Sequence, residues 1–242
     1  GGIGNDTLRG GGHNDVYVYN AGDGTDNIYD RGTNKYGSIA NGGIDTLRFG
    51  AGVKTGDVHF AFEGYNLITT FISSPADEIT MINWKRTYDY GSYPYTRIEN
   101  IEFSDGTGFS IANVYSWRMG SEENDTIQGG SRVDYINAGG GDDVLIGGSG
   151  NDFLVGGAGS DIYRFAGGFG RDIINNDDES AGRVDVIEFA EDIDAAEVNV
   201  SRVGDDLLLE SVAAGDTVTV KNHYFQDGEN THVIDEVRFL AD

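Results

Sequence analysis

Large apolar side chains return every nine residues between positions 120 and 164, at Ile127, Ile136, Leu145, Leu154 and Tyr163. The six residues ahead of each x-apolar-x triplet are mostly small or polar, and the sixth is always aspartate: Asp125, Asp134, Asp143, Asp152 and Asp161. The units read GSEENDTIQ, GGSRVDYIN, AGGGDDVLI, GGSGNDFLV and GGAGSDIYR. A spacing held this strictly specifies stacked repeats, each a turn followed by a very short strand. Stacked in register, the eighth positions line an interior, and the turns set carboxylates and bare backbone carbonyls in a column along one edge. Two further units, GGIGNDTLR from Gly1 and GGGHNDVYV from Gly10, open the chain.

Elsewhere the pattern changes to alternation of apolar and polar residues over short runs, which predicts half-buried strands. These runs are 57–62, 66–71, 78–84 and 97–103, then 197–203, 206–211, 217–222 and 233–240. A single helical turn is expected near 191–197 and a lesser one near 54–57. The two sets correspond. Aligning Asp26 with Asp172 superimposes Gly24 on Gly170, Gly22 on Gly168, Tyr19 on Phe165 and Tyr17 on Tyr163. Further on, DTLRF from Asp45 answers DVIEF from Asp185, and EGYNLI from Glu63 answers VGDDLLL from Val203. DEITMINW from Asp77 answers DTVTVKNH from Asp216, and RIENIEF from Arg97 answers VIDEVRF from Val233. The chain is two copies of one plan, repeats followed by a non-repetitive segment, with the junction near 117–120.

Charge narrows the chemistry. A formal net charge of −25 argues against nucleic acid and anionic membrane surfaces, and for cations. Phased carboxylates repel one another unless a hard divalent ion sits among them, and a flexible cage of oxygen ligands suits calcium better than zinc or magnesium. The 38 glycines accompany only 2 prolines, unlike a collagen, and 38% hydrophobic residues are too many for a disordered segment. With 242 residues the chain can bury a real core. There is no cysteine, so metal is the available cross-link. No apolar run is long enough to span a bilayer and no signal peptide is recognisable. The chain begins inside a repeat and reads as an excised fragment.

Catalytic patterns are lacking. No H-E-x-x-H occurs, and His13, His59, His223 and His232 are scattered. The glycine loops carry aspartate where a phosphate loop needs glycine or lysine, and Ser149 lies in a repeat loop, not in a nucleophile elbow. EF-hand spacing and Asp-Pro bonds are also missing. A tyrosine-rich stretch, YDYGSYPY at 88–95, has no repeat explanation and offers either a sugar- or peptide-contacting loop or a packed cap loop.

The nonapeptides resemble the GGxGxDxUx units of the RTX (repeats-in-toxin) proteins, a bacterial secreted family. The later segments resemble the haemolysin-type calcium-binding-related region that often follows such repeats. The resemblance implies an all-β fold: a parallel β-roll in which two nonapeptides make one coil, closed by antiparallel β-capping segments. Two tandem modules are expected, 1–118 (roll 1–30, cap 31–118) and 119–242 (roll 119–176, cap 177–242). In the family pattern, second- and fourth-position carbonyls and the sixth-position carboxylate bind calcium between loops two repeats apart. Odd-position carbonyls of the next loop complete the cage. On this chain the ligand set is Gly2, Gly4, Asp6, Gly11, Asp15, Gly22, Gly24 and Asp26, then Asp125, Gly130, Asp134, Gly139, Gly141, Asp143, Gly148, Gly150 and Asp152. Gly157, Gly159, Asp161, Gly168, Gly170 and Asp172 complete it, the shifted units at Asp26 and Asp172 taking the last ion of each roll. Roughly five ions follow from the loop count, at ordinary calcium coordination. Ser121, Glu123, Arg132 and His13 replace loop glycines, which makes the loop backbone harder to form. The implied function is a non-enzymatic calcium-binding module of a protein exported by type I secretion machinery, disordered without calcium and folding once outside the cell. The alternative is a calcium-dependent adhesion module binding a host-surface glycan or peptide receptor through 88–95.

Overall fold

The computed structural model describes residues 1–30, 43–82, 84, 98–104, 107–111, 114, 116–212, 214–224 and 231–240. The chain forms two compact units, Gly1–Asn113 and Val114–Asp242. Among the described residues there is no α-helix, and none is long and apolar enough to cross a membrane.

The first unit contains β1 (Thr7–Leu8), β2 (Val16–Tyr19), β3 (Thr25–Ile28), β4 (Thr46–Phe49), β5 (Val58–Glu63), β6 (Asn66–Phe71), β7 (Glu78–Met81), β8 (Asn100–Glu102) and β9 (Gly108–Ser110). They form two sheets, in the orders β1-β3-β7-β6-β5 and β2-β4-β8-β9, and the first four strands alternate between them. Each glycine turn reverses the chain after a few residues, so the next strand must start a second layer. Pairing is parallel for β1-β3-β7 and β2-β4-β8, with Leu8 opposite Ile28 and Tyr17 opposite Leu47. Tyr19 stacks on Phe71 at 4.8 Å and Phe49 packs on Phe103 at 5.1 Å, which closes the apolar interior.

The second unit is a longer version. Its strands are β10 (Ser116–Met119), β11 (Thr126–Gln128), β12 (Asp134–Gly140), β13 (Val144–Ile146), β14 (Phe153–Ala158), β15 (Ile162–Phe165), β16 (Arg171–Ile174) and β17 (Val186–Phe189). They continue with β18 (Val198–Val203), β19 (Asp206–Ser211), β20 (Thr217–Val220) and β21 (Glu236–Phe239). The sheets run β10-β12-β14-β16-β20-β19-β18 and β11-β13-β15-β17-β21. Eighth-position residues Ile136 and Leu154 from one sheet and Leu145 and Tyr163 from the other meet in one fully buried cluster, with Ile127 packed partly buried at its edge. Phe165, Phe189 and Phe239 occupy the places of Tyr19, Phe49 and Phe103.

The segments after the repeats hold the antiparallel strands that the resemblance implies, and parallel ones besides. The hairpins β18-β19-β20, β5-β6-β7 and β8-β9 are antiparallel. By contrast β4, β7 and β8, and β17, β20 and β21, extend the parallel sheets of the repeats. The last coil of a roll presents unpaired N–H and C=O groups, and a strand laid parallel in the same register satisfies them before the hairpin closes the edge. Short 3₁₀ turns, Thr55–Asp57 and Ala195–Glu197, enter β5 and β18 where the helical hints lie.

Candidate metal centre

Each sixth-position aspartate ends a turn and starts a strand, so its carboxylate points along the stack. The Asp125 N–H donates to Asp143 Oδ1 at 2.7 Å, Asp143 N–H to Asp161 Oδ1 at 3.0 Å, and Asp161 N–H to Asp185 Oδ1 at 2.9 Å. On the opposite edge Asp134 N–H donates to Asp152 Oδ1 at 2.8 Å and Asp152 N–H to Asp172 Oδ1 at 2.7 Å. The first unit repeats the arrangement, Asp6 N–H to Asp26 and Asp15 N–H to Asp45. All the aspartates read from the nonapeptides therefore stand in columns.

In Asp143, Asp152, Asp161 and Asp172 one oxygen is thereby used and the other is not, whereas Oδ2 of Asp125 and of Asp134 accepts the N–H of Ser121 and of Gly130. Oδ2 of Asp15, Asp143, Asp152, Asp161 and Asp172 is buried with no hydrogen-bond donor. A buried carboxylate oxygen without a donor is costly. Burial, partly offset by the backbone N–H each accepts, pushes the Asp152 carboxyl up to about 6 and those of Asp161 and Asp172 up to about 8. Burial raises Asp143 and Asp185 as well. Burial and like charge hold these groups toward the protonated form, a strain that a cation would relieve.

The predicted glycine ligands shape the turns. Second- and fourth-position glycines of the regular loops take positive φ, such as 95° at Gly148 and 128° at Gly159, with Gly130 the exception. Consecutive loops stack so closely that a Cβ on Gly157 would overlap the Gly139 carbonyl, and one on Gly170 the Gly150 carbonyl. The Gly24, Gly130, Gly150 and Gly170 carbonyls accept backbone N–H groups from Glu78, Ser149, Arg171 and Thr217, which leaves each a second lone pair. His13 keeps the fourth-position conformation at φ 106°, whereas Ser121, Glu123 and Arg132 do not adopt positive φ.

The columns continue past the nonapeptides onto residues that the repeat pattern does not reach. Asp45 N–H donates to Glu99 Oε2 at 2.7 Å, and Asp185 N–H to Asp235 Oδ2 at 2.9 Å. Gly22 N–H donates to Asp77 at 2.6 Å and Gly168 N–H to Asp216 at 2.9 Å. The signal is present in the internal duplication: three of the four aligned pairs of later segments place an acid just ahead of a strand, at Asp45 and Asp185, Asp77 and Asp216, and Glu99 and Asp235. In the second unit the column ends on a built-in cation. Arg183 Nη1 contacts Asp185 Oδ2, while its Nε lies 3.3 Å from Asp178 Oδ2. The tyrosine-rich stretch 88–95 lies outside the described residues.

The donor set of carboxylate and carbonyl oxygens fits calcium. Comparison with known proteins agrees. The family model described as RTX calcium-binding nonapeptide repeat (4 copies) matches residues 1–29, 119–154, 128–163 and 146–178. The iron-regulated protein FrpA of Neisseria meningitidis serogroup C is 36% identical over 77 residues, covering 32% of this chain and 7% of FrpA. The chain thus spans a small fraction of that relative's length. Among solved structures, the extracellular lipase LipA from Serratia marcescens aligns over 95% of this chain and 38% of its own, at 18% identity and a TM-score of 0.27. In both of its glycine-aspartate blocks, this chain carries the calcium-binding nonapeptide repeats of the RTX proteins.

Proposed function

We propose that the chain is a calcium-driven folding module of a secreted RTX protein, built as two tandem roll-plus-cap units, 1–118 and 119–242, without catalysis of its own. The observation that carries this reading is the set of buried Oδ2 atoms with no donor, stacked one above another in each roll. Their ligand partners are the second- and fourth-position glycine carbonyls of neighbouring loops, and about five ions fill the spaces.

The mechanism is linkage. Calcium binds the stacked turns and not the extended chain, so its binding free energy becomes folding free energy. Where calcium is scarce, the aspartates repel and the entropy of the 38 glycines opposes order, which keeps the chain open for export by a type I machinery. Extracellular calcium, near the roughly 10⁻⁴ to 10⁻³ M at which extracellular modules bind, then folds it. The test is a calcium titration of the chelator-stripped protein followed by circular dichroism, with bound calcium counted by elemental analysis. The reading requires a disordered spectrum in chelator that becomes β-rich with calcium and not with magnesium. A β-rich spectrum in chelator at neutral pH would refute it.

A further inference from the structure

We infer that Asp15, Asp30 and Asp45 form a separate divalent-cation site in the first unit, whose counterpart in the second unit is filled by the guanidinium of Arg183. Only the choice of calcium as the ion rests on the preceding reading. Asp30 belongs to none of the glycine-loop cages. It follows β3 where the stacked turn below carries Gly10, the first-position glycine of its repeat.

One carboxylate oxygen from each of the three residues lies within 4.8 Å of the others. Asp30 and Asp45 are 3% and 1% exposed, and Asp15 is half-buried. The local donors are already committed elsewhere: Tyr17 Oη–H donates to Asp30 Oδ1 at 2.8 Å, and Asp15 N–H to Asp45 Oδ1 at 2.7 Å. Oδ2 of all three remains buried without a donor. Burial and then the neighbouring Asp45 push the Asp30 carboxyl up to about 8.

The second unit shows what the space accepts. Its equivalents are Asp161, Asn176 and Asp185, held by the same scaffold: Gly156 N–H donates to Tyr163 Oη, and Tyr163 Oη–H to Asn176 Oδ1 at 2.8 Å, as Gly10, Tyr17 and Asp30 are linked. There one acid has become an amide, and Asn176 Nδ2 donates to Asp185 Oδ2 at 2.8 Å. Arg183, 8% exposed in its side chain, contacts the same oxygen and also donates to the Val233 carbonyl at 3.0 Å. The residue in the place of Arg183 is Gly43, at φ 98°, where a Cβ would overlap the His13 carbonyl. Among the described residues, the first unit therefore has three acids at this place, no amide in the position of Asn176, and no room for a side chain at Gly43. No side-chain cation among the described residues stands there as Arg183 does, and three hard oxygen ligands suit calcium taken from solution.

The test is calcium stoichiometry of the full chain by native mass spectrometry, with isothermal titration as a second readout. Asp30→Asn keeps the acceptor for Tyr17 and is expected to bind one calcium fewer than wild type with unchanged β content. The reverse graft, Asn176→Asp with Arg183→Gly, is expected to bind one more, and it keeps the inference testable if Asp30→Asn fails to fold. Equal stoichiometry in wild type and Asp30→Asn, or no gain in the graft, overturns this inference and leaves the folding module standing. A wild-type chain that binds no calcium overturns both.

Discussion

Lowering the pH of the calcium-free protein should fold it. Asp161 and Asp172 are 0% and 1% exposed, and burial lifts their carboxyls from 3.8 to about 8. Asp161 faces Asp143, Asp178 and Asp185, with Arg183 and Tyr163 nearby; Asp172 faces Asp152 and Asp216. The folded chain therefore binds protons more tightly than the unfolded one, so these groups favour folding at low pH and oppose it as pH rises through about 8. One pH unit is worth about 1.4 kcal/mol, so at pH 7 each withholds on the order of 4 kcal/mol from the metal-free fold. The pair together matches a typical domain stability of about 5–15 kcal/mol. In chelator, far-ultraviolet circular dichroism from pH 8.5 down to 5.5 should show β-structure appearing on acidification. With saturating calcium the sense reverses, because the ion needs ionised ligands and is released as they protonate. A chelated protein with the same spectrum at both ends, or more β-structure at the higher pH, would show that these carboxylates do not gate folding.

Three further outcomes follow from the geometry. Asp152→Ala strips the acceptor from the buried Asp134 N–H as well as a ligand oxygen, and should cost about 1–3 kcal/mol beyond any lost calcium, whereas Asp205→Ala, at an exposed pair with Arg202, should cost about 0–1; calcium-loaded thermal denaturation compares them. His13→Gly relieves a side chain held at φ 106° and should lower the calcium needed for folding, by about 1 kcal/mol in a titration midpoint; an unchanged or higher midpoint counts against a strained loop. Deleting 177–242 removes β17, β20 and β21 from the growing ends of both sheets and bares Phe165 and Ile174, so calcium should no longer induce β-structure in the second roll. Folding of the truncated chain at the same calcium level would make the cap dispensable.

Read as sequence alone, the chain determines the repeat, the buried eighth positions and the aspartate columns, because a nine-residue spacing is local: it commits each side chain to turn, edge or interior without reference to anything distant. Ile136, Leu154 and Tyr163 meet as the period requires, and Asp125, Asp143 and Asp161 stand 18 residues apart in one ladder. Beyond Asp161 the spacing breaks, to 24 residues at Asp185 and 50 at Asp235, and the period no longer indicates that the column goes on. Sheet register decides it, since a parallel strand laid on the last coil brings its leading acid to the same edge whatever the length of the intervening chain. The tertiary structure alone sets Asp30 beside Asp15 and Asp45, and Arg183 against Asp185, because those neighbours are joined by stacking between turns and not by proximity along the chain.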